Sequence, residues 1–222
     1  MKKLLRTGGL AVAALLSIGA SGNWNTTVVD TDRGYLFGNP EAEVTLIEFA
    51  SYTCPHCAHF TNEGEPALQL AYIGPGKLKF EIRPFVRNVV DLVASRLVEC
   101  GGEEKSLQTH TMFMTRQPYW LARAQNATPA QVQIWTKGDA YGFRAVASSL
   151  GFYDMMESRG VNRVAVDKCL ADKPAIDALI ANTKADAVEY GVKGTPSFAL
   201  NGKLLDGVHG WEPLEKVLKS QF

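Results

Sequence analysis

Two cysteines three positions apart, set where an apolar strand gives way to a helix, constrain this chain more than any other feature. Val44 to Ala50 is an apolar, β-branched run of strand length, preceded by the turn signal Gly38-Asn39-Pro40, and it reads as a strand buried on both faces. After Ser51-Tyr52-Thr53 comes Cys54-Pro55-His56-Cys57. Pro55 suits the first turn of a helix, where its missing N–H costs nothing, and the pattern carries that helix through Phe60 to about Ala71. Lys77 to Arg83 alternates strictly, as a half-buried strand should. Residues 44 to 83 are therefore expected to form a β-α-β unit with Cys54 at its first strand-to-helix junction.

That placement selects a chemistry. Backbone N–H groups point outward at a helix start and the macrodipole favours negative charge, so a sulfur there is stabilised as the thiolate. Cys54 is the expected nucleophile. Cys57, one turn further in, should be more buried and can attack a mixed disulfide formed at Cys54. His56 between them can donate to the thiolate or add positive charge; the alternative is an exposed helix-start residue with no role. Covalent haem attachment needs a histidine directly after the second cysteine, and Ala58 stands there. A structural zinc site needs two further ligands at short spacing, but no second such pair exists and His59, His110 and His209 stand alone. His59 and His110 read as ordinary surface or helix-face histidines. No metal and no other cofactor is expected.

Residues 1 to 22 open with Lys2, Lys3 and Arg6, continue with an apolar run from Leu10 to Ala20, and end in Ala20-Ser21-Gly22. This is the form of a secretory signal peptide, and the run is too short for a membrane span. Without that segment 20 basic side chains face 23 acidic ones, a net charge of about −3, which leaves no basic footprint for nucleic acid. The 222 residues, 46% of them hydrophobic, exclude disorder as the main state. Four cysteines fall in the part expected to be exported, where disulfides persist.

Cys54-Pro55-His56-Cys57 at a strand-to-helix junction, with Gly194-Thr195-Pro196 far downstream, resembles the DsbA-like thiol-disulfide oxidoreductases of the thioredoxin superfamily, over essentially the whole chain after the leader. The resemblance implies a cis proline at Pro196 facing the cysteine pair, with Pro55, Thr195 and Pro196 on the substrate-binding side. It also matches Glu48, six residues before Cys54 in the middle of the buried strand, to the buried acid of the superfamily. A carboxyl there can take the proton of Cys57 as it attacks; the alternative is a pair with a neighbouring lysine or an exposed carboxyl end. One departure is visible. Oxidising members often carry an acid just after the helix phenylalanine, whereas Thr61 and Asn62 follow Phe60.

Beyond Pro84-Phe85 about 100 residues show helical spacing instead of alternation. Val89, Val90, Val93, Leu97 and Cys100 fit one helix face and Phe143, Val146, Ala147 and Leu150 another, and Val161 to Leu170 and Pro174 to Tyr190 continue the pattern. Pro196 to Leu200, Asn201-Gly202 and Lys203 to Asp206 read as a hairpin with a favoured two-residue turn, and Glu212 to Lys219 as a closing helix. The fold class expected is α/β, a thioredoxin fold with an inserted all-helical domain: signal peptide 1–22, thioredoxin domain 23–86 and 177–222, insertion 87–176. Cys100 and Cys169 both lie in the insertion and are expected to form a structural disulfide, two free buried thiols being the alternative. Trp120, Trp135 and Trp211 belong either to a core or to the edge of a peptide groove.

The function expected is a periplasmic enzyme that oxidises cysteine pairs in newly exported proteins, through a mixed disulfide at Cys54 resolved by Cys57. A monomer is expected, and the resemblance implies a DsbB-like membrane quinone reductase as its reoxidant. A reductase or isomerase of the same fold is the alternative, which Thr195 favours because strong oxidants of the family often have valine before the cis proline. A metal-binding module using the two sulfurs is a third reading.

Overall fold

The computed structural model describes residues 24–222; the expected leader lies outside the described residues. One sheet of six strands organises the chain: β1 Val28–Asp30, β2 Tyr35–Gly38, β3 Val44–Ala50, β4 Leu78–Pro84, β5 Ser197–Leu200 and β6 Lys203–Leu204, in the order β1-β2-β4-β3-β5-β6. β3 and β4 run parallel and every other pairing is antiparallel. The apolar run of β3 thus has a neighbour on each edge and a layer on each face, which is why it carries no polar alternation.

The period of two divides β3 between two environments. Leu46, Glu48 and Ala50 share the face on which Phe80, Ile82, Phe198 and Leu200 meet helix α1, Pro55–Leu68; Phe60 packs edge-on to Phe198 with ring centroids 4.7 Å apart. Ile47 and Phe49 face the other way and join Val192 and Ala199 in a smaller cluster against Tyr190. Helix α1 ends earlier than its pattern suggests, at Leu68, and passes through a wider π turn at Gln69–Ile73.

β4 departs from the half-buried reading. It is an interior strand, and Glu81 is buried although charged. Arg83 binds both Glu81 carboxylate oxygens at 3.0 Å and Asp186 at 3.0 Å, and Arg33 reaches Asp186 at 2.8 Å. This paired network, rather than solvent, satisfies the polar side of the alternation. The β1–β2 hairpin is also absent from the sequence reading. Its tight turn needs Gly34, where a Cβ would stand 2.1 Å from the Ile82 carbonyl oxygen.

Between β4 and β5 lie α2 Val89–Glu99, α3 Glu103–Thr115, α4 Gln117–Gln125, α5 Pro129–Trp135, α6 Ala140–Leu150, α7 Phe152–Glu157, α8 Arg163–Cys169 and α9 Lys173–Tyr190; α10 Trp211–Lys219 closes the chain. Side-chain caps start several of them: Asn88 accepts the Asp91 N–H, Thr128 and Gln131 form a capping box, and Asp139, Asn162 and Asp172 each accept the N–H three residues on. The boundary expected between 176 and 177 falls inside α9, which is one continuous helix and brings Asp186 to the sheet. Cys100 and Cys169 are bonded, with Cα atoms 5.9 Å apart, tying the end of α2 to the end of α8. Trp120 and Trp135 are core residues, and Trp211 is half-buried. Asn201 and Gly202 take the two positive φ values of the hairpin turn, 49° and 81°. Among the described residues no helix is long and apolar enough to cross a membrane.

Candidate active site

Cys54 is the N-cap of α1, with extended backbone angles, φ −94° and ψ 116°, and Pro55 supplies the first helical position. Its sulfur is therefore presented to the outward N–H groups of the first turn. Cys54 is held down at about 5 from the ordinary cysteine value of 9.0; the thiol of Cys57 donates to its sulfur, the Thr195 side chain and the backbone N–H groups of Cys57 and His56 add to this, and burial opposes them. His56 contributes through its backbone N–H, while its side chain stands exposed. The sequence reading placed that contribution on the imidazole.

Cys57 is fully buried and is pushed well above the ordinary thiol range, by burial first, then by its bond to Cys54 and the negative charge of Glu48. The Ser51 N–H, 3.4 Å from its sulfur, acts in the opposite direction. Glu48 is itself fully buried, and neither carboxylate oxygen has a hydrogen-bond partner. Neither the lysine pair nor the exposed carboxyl end is present. Burial pushes Glu48 well up, with the charges of Glu65 and Cys54 adding to it, so its carboxyl keeps a proton to higher pH than an ordinary glutamate.

Across from the pair, the Thr195–Pro196 peptide is cis. The Thr195 carbonyl lies 3.1 Å from Cys54 Sγ, and the Thr195 side chain acts on the same sulfur. His209 Nδ1 lies 2.8 Å from the Pro196 carbonyl and donates to it. The structure thus brings Cys54, Cys57, Thr195 and Pro196 together, sets Glu48 where its charge acts on Cys57, and leaves Pro55 exposed at the helix start.

Behind the pair lies a buried polar chain missing from the sequence reading. His110 of α3 is fully buried, where a surface or helix-face position was expected. Its Nδ1 meets the Tyr52 hydroxyl at 2.9 Å and its Nε2 meets Glu65 at 3.0 Å; Tyr52 continues to the Tyr35 hydroxyl at 3.3 Å. Both ring nitrogens are satisfied, which is what permits the burial. The Thr61 hydroxyl donates to Glu65 at 2.8 Å. The acid missing directly after Phe60 is thus found one helical turn further on. His59, by contrast, is exposed and pairs with Glu63 at 3.0 Å. Two further residues grip the loop before Cys54: Asp91 binds Ser51 and Tyr52, and Gln117 Nε2 donates to the carbonyls of Tyr52 at 2.7 Å and Cys54 at 2.9 Å. Neither Asp91 nor Gln117 was singled out in the sequence, because their reach across to the loop is tertiary. Among the described residues no group of three His, Cys, Asp or Glu side chains is arranged to hold a metal ion.

A thioredoxin sheet interrupted by helices, with a Cys-x-x-Cys pair at the α1 start facing a cis proline, defines a class, and comparison with known proteins gives the same class. The family described as thioredoxin matches residues 30–220, and the chain belongs to it, as a DsbA-like member of the superfamily. A crystal structure named as a protein-disulfide isomerase from Novosphingobium aromaticivorans is 40% identical, with a TM-score of 0.81, over 84% of this chain and 95% of that one. The Wolbachia pipientis α-DsbA1 structure shares the fold at 20% identity and a TM-score of 0.64, covering 83% of this chain and 88% of that one. A Rickettsia bellii protein named as a protein-disulfide oxidoreductase is 29% identical over 172 residues, 77% of this chain; the chain spans 58% of that relative's length. The thiol:disulfide interchange protein DsbA of Haemophilus influenzae is 24% identical over 91% of this chain and 87% of its own length.

Proposed function

We propose that this protein is a periplasmic thiol-disulfide oxidoreductase that introduces disulfides into exported proteins. The observation that carries the reading is the placement of the two sulfurs opposite cis-Pro196, Cys54 at the helix start with its pKa held at about 5 and Cys57 fully buried with its pKa pushed up. A substrate thiolate attacks Cys54 Sγ in the Cys54–Cys57 disulfide; that bond breaks, a mixed disulfide forms, and Cys57 leaves with the electron pair and takes the proton held at Glu48. A second substrate thiolate then attacks the substrate sulfur of the mixed disulfide. The substrate disulfide forms, Cys54 leaves as a thiolate, and its low pKa makes it a good leaving group. In reverse, Cys57 attacks the mixed disulfide and gives its proton to Glu48.

A cleft of about 440 Å³ beside Thr53, lined by Arg87, Asn88, Val90, Leu121 and Gln125, supports an extended polypeptide as substrate. The form of residues 1 to 22 supports export. The protein acts as a monomer, and a DsbB-like membrane quinone reductase restores its disulfide. A second reading, reductase or isomerase, has a specific observation in its favour: the likeness to the Novosphingobium protein named as an isomerase, together with Thr195 before the cis proline. The test is transfer from the oxidised protein to a reduced unfolded substrate in the absence of other oxidants, followed by trapping of the mixed disulfide in a Cys57→Ser variant. Stoichiometric substrate oxidation and an adduct at Cys54 are expected. Failure to oxidise, with rapid reduction of scrambled disulfides by the reduced protein, would give the second reading.

A further inference from the structure

Asp91 stands three residues after the N-cap of α2, where an acidic side chain ordinarily folds back on its own helix start. Its own N–H is bound by Asn88 Oδ1 at 2.9 Å, but its carboxylate crosses to the β3–α1 loop. It accepts from the Ser51 hydroxyl at 2.6 Å, the Tyr52 N–H at 2.7 Å and the Arg87 N–H at 3.1 Å, with the Thr53 hydroxyl at 3.4 Å. Asp91 is fully buried. Arg87 Nε donates to the Ser51 hydroxyl oxygen at 2.9 Å and Asn88 Nδ2 to the Thr53 hydroxyl oxygen at 3.0 Å. Gln117 holds the Tyr52 carbonyl from the other side at 2.7 Å. Both the backbone N–H and the carbonyl of Tyr52 are therefore fixed by side chains of the helical insertion. Packing alone does not call for this, since apolar residues of similar volume stabilise a core as well as a buried carboxylate does.

What the grip fixes is the N–H of Ser51, 3.4 Å from Cys57 Sγ. We propose that Asp91 is a positioning residue for Cys57: it locks the Ser51-Tyr52-Thr53 loop so that the Ser51 N–H is aimed at the sulfur on which charge develops during exchange. The proposal rests on the thiol-disulfide reading above and adds the device that makes its inner step fast. When a thiolate attacks Cys54, the electron pair of the Cys54–Cys57 bond arrives on Cys57 Sγ, and a preorganised N–H stabilises it there until a proton is taken up. In reverse, the same N–H stabilises Cys57 as it deprotonates, attacks Cys54 Sγ of a mixed disulfide and expels the other thiolate. The insertion thereby acts on Cys57 through the Ser51 N–H of the loop it holds.

The test separates the two sulfurs kinetically. The reduced protein is mixed with oxidised glutathione, quenched with acid at intervals and weighed. Attack by Cys54 forms the glutathione adduct and releases one glutathione; attack by Cys57 closes the internal disulfide and releases the second. In Asp91→Asn the adduct is expected to form at the parent's rate while closure slows by about tenfold or more, the worth of one hydrogen bond to a charged group, so the adduct accumulates. Ser51→Ala keeps the N–H but loses the Asp91 and Arg87 contacts, and is expected to slow closure alone by a smaller factor; it carries the test if Asp91→Asn does not fold. Closure unchanged in the folded variants, or both steps slowed equally, would overturn the positioning role. A parent protein that forms no adduct or never closes it would overturn the thiol-disulfide reading instead.

Discussion

The protonation state of Cys54 can be read from how the reduction potential changes with pH. With Cys54 held at about 5 and Cys57 pushed well up, reduction between these values takes up two electrons and one proton. The potential should then fall by about 30 mV for each pH unit, and by about 60 mV per unit below pH 5, where both sulfurs take protons. Relative to a couple whose nucleophile keeps the ordinary value of 9.0, two units of thiolate stabilisation at pH 7 raise the potential by about 60 mV. The same two units stabilise the folded reduced protein by about 2 to 3 kcal/mol. The sign follows from the depressed pKa: the contribution is complete above the unfolded value and is lost as pH falls toward 5. The assay is equilibration with a glutathione buffer at several pH values, with thiolate absorbance followed on the same samples. A straight line of about 60 mV per unit from pH 5 to pH 8, with an absorbance midpoint near that of free cysteine, would refute the reasoning from helix start and partner thiol alike.

Three further outcomes are expected. His56→Ala keeps the backbone N–H that acts on the sulfur, so the Cys54 midpoint should stay near the parent's, as read by thiolate absorbance; a midpoint at the free-cysteine value would return the effect to the imidazole. Opening the bond between Cys100 and Cys169, 69 residues apart, by changing both to Ser should cost about 4 kcal/mol by the chain-entropy model, seen as a fall in melting temperature of roughly 10 °C with exchange kinetics intact. Glu48→Gln should stabilise the protein increasingly as pH rises above about 4.5, because the raised pKa of Glu48 gives the parent stability that is full below the unfolded value and lost as pH climbs through the folded one. Denaturant titrations of both proteins from pH 4 to pH 8 check this, and equal slopes would show that Glu48 ionises freely.

The fold was legible where one residue type could do one thing. β3, α1, the Asn201-Gly202 hairpin, the cysteine pair and the later helices follow from local pattern, turn chemistry and helix starts. The misses share a cause: in each, a polar side chain was judged by its own segment while its partner lay far along the chain. Glu81 is interior because Arg83 and Asp186 meet it, and His110 is buried because Tyr52 and Glu65, 58 and 45 residues away, satisfy its ring. Asp91 reads as a helix-start acid until the β3–α1 loop is seen folded over it. The β1–β2 hairpin has short strands of 3 and 4 residues, too short a run to read as strands by pattern; it exists because β2 pairs with β4.

A single helical turn gives the two sulfurs opposite preferences, and the cause is their shared hydrogen bond as much as their separate surroundings. The Cys57 thiol donating to Cys54 lowers one pKa and raises the other, so the proton removed from Cys54 is in effect kept on Cys57. The pair therefore titrates as a unit, and a change made at either end is felt at both. Period-two geometry in β3 puts Glu48 on the Cys57 side, and the α1 start puts the N–H groups on the Cys54 side, so the strand and the helix each reinforce one half of the same division. Because Ser51 is the residue joining that strand to the loop, its N–H is the one donor that works against the division, stabilising charge on Cys57. Exchange requires such a donor: a Cys57 that could never carry charge could neither leave nor attack. The fold holds the resting state one-sided and keeps one N–H aimed at the sulfur that must briefly become charged.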